Sequence, residues 1–169
     1  MYWEQYRLLL SKKVKINNLS LTVDNDILIA QIDDLLQRGK RVHFSPKGES
    51  MRPFIEGGKD TVVLVKTTTF QVGDIVLAKV STTPTPLYVL HRIIAIKDNK
   101  FTLMGDGNLK GTEFVDQANV YGKVVQILTP TGKHKCVNRA FLWRNLHFCR
   151  RFLLKCYRKI IIPILYLYE

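Results

Sequence analysis

A chain of 169 residues is long enough for one domain with a true apolar core plus an appendage. Its 46% hydrophobic and 24% charged content lies near the globular average, which excludes a disordered or fibrous chain. The net charge of +12 is concentrated: residues 117–169 hold ten Lys/Arg against one carboxylate, Glu169, so +9 of it lies there. Such a cationic segment attracts anionic surfaces, whether phospholipid, nucleic acid or an acidic partner.

In chain order, the opening MYWEQYRLLLSKK has no long apolar core and no small-residue cleavage site, so no secretory signal is expected. Asp26 is the candidate N-cap of a first helix, with Asn25 the alternative; Ile27, Ile29, Ile32, Leu35 and Leu36 carry it to about Gly39. Arg41–Ser45 reads as a short strand, and Pro46 with Gly48 marks a sharp turn. From Asp60 the chain turns β-rich, with strands expected over Thr61–Lys66, Asp74–Val80, Tyr88–Ile96, Lys100–Met104 and Val120–Leu128. Between them lie the turn compositions Val72–Asp74, Thr83–Pro86, Lys97–Asn99 and Gly105–Asn108. The expected architecture is mainly β (α+β): a compact antiparallel, barrel-like fold without internal repeats.

After Gly132 the character changes. Leu142, Leu146, Cys149, Leu153, Cys156 and Ile160 are spaced alternately by four and three residues, which predicts a narrow helical stripe. Arg144, Arg151, Lys155 and Arg158 fall opposite it, Phe148 lies on that basic side, and Pro163 is expected to end or kink the helix. The stripe either covers an apolar patch of its own domain or docks on an anionic membrane, with Trp143, Phe152 and Tyr157 flanking it. The apolar run Ile160–Tyr168 is interrupted by Pro163 and too short to span a bilayer. Cys136, Cys149 and Cys156 lack metal-type spacing with His134 and His147, so neither zinc nor a disulfide framework is expected, and a reducing compartment fits. Three segments result: a helical lead-in over 1–40, a core domain over 41–130 and a basic extension over 131–169. The protein is expected in the cytoplasm or peripherally on a membrane.

The segment Lys47-Gly-Glu-Ser-Met-Arg-Pro-Phe54 follows a strand and opens a turn, a setting that displays a serine. A nucleophilic serine needs a base within hydrogen-bond reach and N–H donors for the oxyanion. Taken alone, Ser50 reads equally as a turn residue or helix cap, His91 as a hydrogen-bonded core histidine and Asp106 as a turn-former.

Five blocks alter that balance: GESMRPFIEGGKDTVVLV, VGDIVLAKV, YVLHRIIAI, LMGDGN and VYGKVVQI. In this order, over about residues 41–128, they resemble the serine peptidases of the signal peptidase I and LexA-like clan. The resemblance implies Ser50 as nucleophile and His91 as general base. Histidine, where bacterial signal peptidases and LexA-type repressors use lysine, is similar to the archaeal and endoplasmic-reticulum signal peptidases. The matching later block then supplies Asp106. The resemblance also implies the clan's β fold, between an N-terminal helix and a basic amphipathic C-terminal helix.

The chemistry is coherent. A lysine base must be desolvated before it accepts a proton at neutral pH, whereas an imidazole titrates near neutrality and needs only orientation. The Ser50 N–H, with a donor from the Pro46–Glu49 turn, would form the oxyanion hole; Gly48, Glu49 and Met51 are its expected supports, with Met51 packed beneath the nucleophile. Pro53 is expected to set the chain direction after Ser50. His43 is expected to point away, Lys97 and Lys100 sit at a turn and make poor bases, and Asp74 supports strand geometry. Arg92 is either solvated or paired with Glu49 or Asp106.

The expected activity is endoproteolysis of a leader, pro-peptide or small protein, without a cofactor. The substrate would lie extended along an exposed strand edge. The rival is a non-catalytic module of the same fold whose basic tail engages a membrane, nucleic acid or a partner protein. Against nucleic acid, no helix-turn-helix precedes the domain. Self-cleavage is disfavoured because no Ala-Gly or Cys-Gly dipeptide precedes Ser50.

Overall fold

The computed structural model describes residues 25–80, 87–135, 137, 149 and 152–167. The Thr83–Pro86 turn, Cys136, Leu142, Trp143, Arg144, Leu146, His147, Phe148 and Arg151 lie outside the described residues, as do 1–24 of the lead-in.

One antiparallel sheet, curled into a half-barrel, forms the body. Its strands are β1 (Val42–Phe44), β2 (Thr61–Val65), β3 (Ile75–Val80), β4 (Leu87–Lys97), β5 (Lys100–Met104), β6 (Glu113–Asp116), β7 (Val120–Leu128) and β8 (His134–Lys135). The spatial order is β1-β2-β7-β3-β4-β5-β6, with β8 added to β7. Register shifts at Val63/Leu64, Leu77/Ala78 and Ile93/Ala95 mark irregularities in three ladders, and such bulges bend and twist a sheet. Asp98 and Asn99 form the two-residue β4–β5 turn with φ of 48° and 60°, the left-handed geometry that closes a tight hairpin. The expected strands are present within a residue or two; β6 and β8 were not expected.

Strand alternation sorts the side chains onto two faces. Val76, Ala78, Val80, Val89, Ile93, Phe101, Leu103, Val115 and Val120 form one cluster. The other contains Val42, Val62, Leu64, Ile75, Leu77, Leu90, Val124 and Ile127, and the helix α1 (Asn25–Gln37) covers it with Ile29, Ile32 and Leu36. The helix therefore shares the core of the β domain. It closes where Gly39 N–H meets Leu36 O and Lys40 N–H meets Leu35 O, the paired bonds of a Schellman end. Asp26 lies inside its first turn rather than before it, and its carboxylate accepts the Tyr88 hydroxyl at 2.6 Å.

The C-terminal segment differs from expectation. It is α-helical over 152–156, widens to a π-turn at Tyr157–Ile161 and resumes as α-helix over Ile162–Leu167, so Pro163 does not end it. Pro163 directly follows the π-turn, where Ile162 N–H already bonds Tyr157 O in the i→i+5 pattern, so its missing N–H falls where the α ladder is already interrupted. The buried face differs from the predicted stripe. Leu153 and Ile160 of the predicted stripe are exposed, while Leu154 is buried.

Leu36 is fully buried between α1 and the sheet. Leu36→Ala should lower unfolding free energy by about 2–5 kcal/mol in urea titration. A loss below about 1 kcal/mol would show that α1 is not part of the cooperative core.

Candidate active site

The turn bearing Ser50 is tied down at its base. Ser45 Oγ donates to Asp60 O at 2.8 Å, and Gly58 N–H donates to Pro46 O at 2.8 Å. The Asp60 carboxylate accepts Glu56 N–H at 2.7 Å and Lys135 Nζ at 2.6 Å. Beneath Ser50, Met51 and Ile55 are buried in the core, and the Met51 sulfur accepts Asp106 N–H at 3.5 Å. The turn is thus anchored by apolar packing below and by hydrogen bonds at both ends.

Beside it runs β4. On one edge Leu87–Arg92 pair with β3; on the other, β5 pairing begins only at Arg92↔Met104. The second edge of Leu87–His91 therefore carries no strand among the described residues. A cavity of about 110 Å³ lies here, lined by Lys47, Gly48, Ser50 and Met51 from the turn and Tyr88–His91 from β4. Ser50 and His91 thus line the same cleft. Tyr88 is held as the neutral phenol: its hydrogen bond to Asp26, then burial, pushes its pKa up.

His91 lies on the face of Val89 and Ile93 and is 5% exposed. Its Nδ1 meets Glu113 Oε2 at 2.9 Å. Register explains the contact: Ile93 pairs with Leu103, and Leu103 pairs with Glu113, so Glu113 projects from the same face. An ionised carboxylate only accepts, so it fixes Nδ1 as the donor and leaves the Nε2 lone pair free for a proton.

A Cβ on Gly105 would lie 2.5 Å from Ser50 O, 2.9 Å from Asn108 Nδ2 and 3.0 Å from His91 Nε2. The Ser50 backbone and the His91 Nε2 therefore converge on a space that only glycine leaves open. Among the described residues, neither Ser50 Oγ nor Ser50 N–H has a hydrogen-bond partner.

Asp106 does not orient His91, contrary to expectation. Successive side chains on β4 point to opposite faces, and Asp106 lies on the Arg92 side. Its oxygens take Arg92 Nε at 2.9 Å and Nη2 at 2.7 Å, with both side chains at most 1% exposed. Arg92 Nη1 also donates to Gly73 O at 2.6 Å and Val137 O at 3.0 Å, so the buried guanidinium is well supplied with acceptors. Of the alternatives for Arg92, pairing with Asp106 is the one realised. Glu113, not singled out in the sequence, takes the orienting position.

Among the other candidates, Gly48 lines the cavity with φ of +92°, whereas the Glu49 carboxylate turns away to Arg52 Nη1 at 3.0 Å. His43, on β1, is outside the cavity lining; burial and Arg41 push its pKa down. Asp74 accepts Gln71 N–H at 2.9 Å and Lys123 Nζ at 3.3 Å, which fixes the entry to β3. Pro53 follows Arg52 through a cis peptide bond.

The two carboxylates should separate by stability. Asp106→Ala strands a buried guanidinium and should cost about 3–5 kcal/mol in denaturant unfolding. Glu113→Gln, at a part-exposed site that keeps a polar partner, should cost no more than about 1 kcal/mol. The reverse ranking would contradict these assignments. Compared with models of known protein families and with curated proteins, the chain matches none.

Proposed function

We propose that the chain is a serine endopeptidase, with Ser50 as nucleophile, His91 as general base and Glu113 as orienting carboxylate. The observation that carries this reading is the shared cleft: Ser50 and His91 line one cavity, and Glu113 holds the far nitrogen of the imidazole. The five sequence blocks, the His base and the curled antiparallel sheet all accord with the signal peptidase and LexA-like clan fold.

In this mechanism Ser50 Oγ attacks the scissile carbonyl carbon while His91 Nε2 takes its proton. The Ser50 N–H donates to the oxyanion. Collapse breaks the C–N bond as His91 returns the proton to the leaving amine, giving an ester on Ser50. Water, deprotonated by His91, then hydrolyses that ester and restores Ser50. Glu113 stabilises the imidazolium in both halves. Catalytic hydrogen bonds commonly shorten only when substrate is in place, and the Ser50–His91 bond belongs to that stage.

The substrate is an extended peptide added to the open edge of Leu87–His91. Its class is a leader, pro-peptide or small protein.

The partner reading includes an anionic membrane. Phe152, Leu153, Ile160, Ile161 and Ile164 are each at least 44% exposed on the C-terminal helix, and Lys155 and Lys159 are exposed among them. Apolar side chains with interspersed cations suit the boundary between headgroups and acyl chains. No helix among the described residues is long and apolar enough to cross a bilayer.

A fluorophosphonate should label the wild-type chain at Ser50 by peptide mapping, and Ser50→Ala should abolish that label. His91→Ala and Glu113→Gln should each slow labelling on the order of 10²–10⁴-fold. Equal labelling of Ser50→Ala would end the reading. In flotation, the chain should rise with phosphatidylglycerol vesicles and not with phosphatidylcholine ones, and I160E/I161E should remain below. Equal flotation of that variant would refute membrane attachment through this face.

A further inference from the structure

The C-terminal helix rests on the turn that carries Ser50. Tyr157 and Arg158 make the contact, and Leu154, one helical turn before Arg158, is buried. Leu154 is 7% exposed. Burial pushes the Tyr157 hydroxyl pKa up; Arg52 opposes the shift, and Glu56 and Glu49 reinforce it, so all three charged groups of the 49–56 turn lie within its field.

Arg158 makes the decisive bond. Its Nη2 donates to Gly107 O at 2.7 Å, and Gly107 N–H donates to Ser50 O at 2.7 Å. Gly107 is thereby held between the helix and the nucleophile turn. A Cβ on it would lie 2.7 Å from Arg52 O, 2.9 Å from Glu49 O and 3.2 Å from Ser50 O, so its backbone presses on a row of carbonyls.

Those carbonyls set the direction of the catalytic amide. A peptide group is planar, with C=O and N–H pointing oppositely. The Glu49 carbonyl, which accepts Arg52 N–H at 3.1 Å and packs against Gly107, shares its plane with the Ser50 N–H. The Ser50 carbonyl held by Gly107 N–H shares its plane with the Met51 N–H, so Gly107 abuts both peptide groups that flank the Ser50 Cα. Arg158 also brings a charge-assisted donor, stronger than a neutral one, to hold that stack.

We propose that Arg158 is a positioning residue: through Gly107 it holds the Ser50 turn in the orientation that aims the Ser50 N–H at the oxyanion. The inference rests on the peptidase reading of Ser50 and His91. It makes the basic C-terminal segment a working part of the site, coupled to the nucleophile by two successive hydrogen bonds. Arg158 is exposed as a residue, as sequence periodicity expects, yet its Nη2 reaches the part-buried Gly107 carbonyl.

The test compares the full chain with Arg158→Ala, Arg158→Lys and, for the loss of an exposed cation elsewhere, Lys97→Ala. Two quantities are read: the rate of Ser50 acylation by a fluorophosphonate, and amide hydrogen exchange over residues 49–55 and 105–108. Arg158→Ala should acylate about tenfold more slowly and exchange several-fold faster in both segments. Arg158→Lys, which keeps a cationic donor, should recover part of both effects, and Lys97→Ala should match wild type. Unchanged exchange in Arg158→Ala, or equal losses in Arg158→Ala and Lys97→Ala, would overturn the proposal. If the wild-type chain is not acylated, the peptidase reading fails, while the exchange comparison still decides whether Arg158 holds the turn.

Discussion

The buried Arg92–Asp106 pair sets the distance between the two halves of the site. Arg92 leaves β4 one residue after His91, and Asp106 belongs to the turn whose next residue, Gly107, holds the Ser50 carbonyl. Two parallel hydrogen bonds between planar groups allow little rotation, so the strand bearing His91 is tied to the Gly105–Asn108 turn and, through Gly107, to the turn bearing Ser50. A buried ion pair adds little net stability over apolar packing, because desolvation offsets most of the Coulombic gain. Its value here is geometric. The guanidinium's remaining bonds to Gly73 O and Val137 O extend the same anchor to the entry of β3 and to the chain beyond β8.

Strand alternation gives adjacent residues on β4 different carboxylates. His91 faces the cluster of Ile93, Leu103 and Val115, and its partner comes from β6, at the sheet edge. Arg92 faces the opposite side, and its partner comes from the Gly105–Asn108 turn. A single carboxylate could not serve both without crossing the sheet. The same division separates their surroundings: the Arg92–Asp106 pair is fully enclosed, and the His91–Glu113 pair is partly open on its Glu113 side.

Much of the fold was legible locally. Segments rich in Val, Ile, Leu and Tyr marked β2, β3, β4, β5 and β7, and the turn composition of Lys97–Asn99 marked the break between β4 and β5. What remained hidden depends on long-range register. Glu113-Phe-Val-Asp116 is four residues long with acidic ends and no strong alternation, and only its pairing with β5 makes it a strand. Glu113 thus had no sequence signal as a partner for His91, whereas Asp106 stood in a block resembling a known family. Ser50 and His91, singled out by the ordered blocks, line one cavity. The C-terminal helix was legible as a helix but not in its facing: Leu154, outside the stripe, is buried and Leu153, inside it, is exposed, and from Tyr157 the π-turn shifts the 100° periodicity further.

The central claim is that Ser50 adds to a carbonyl while Glu113 holds the imidazole that takes its proton. A peptide boronic acid bound to protein with ¹⁵N-labelled histidine reads both halves at once. The expected result is tetrahedral boron on Ser50 Oγ and a low-field His91 Nδ1 proton in the adduct, shifted upfield by Glu113→Gln. Failure of boron to become tetrahedral, or a His91 Nδ1 resonance indifferent to Glu113→Gln, would contradict it.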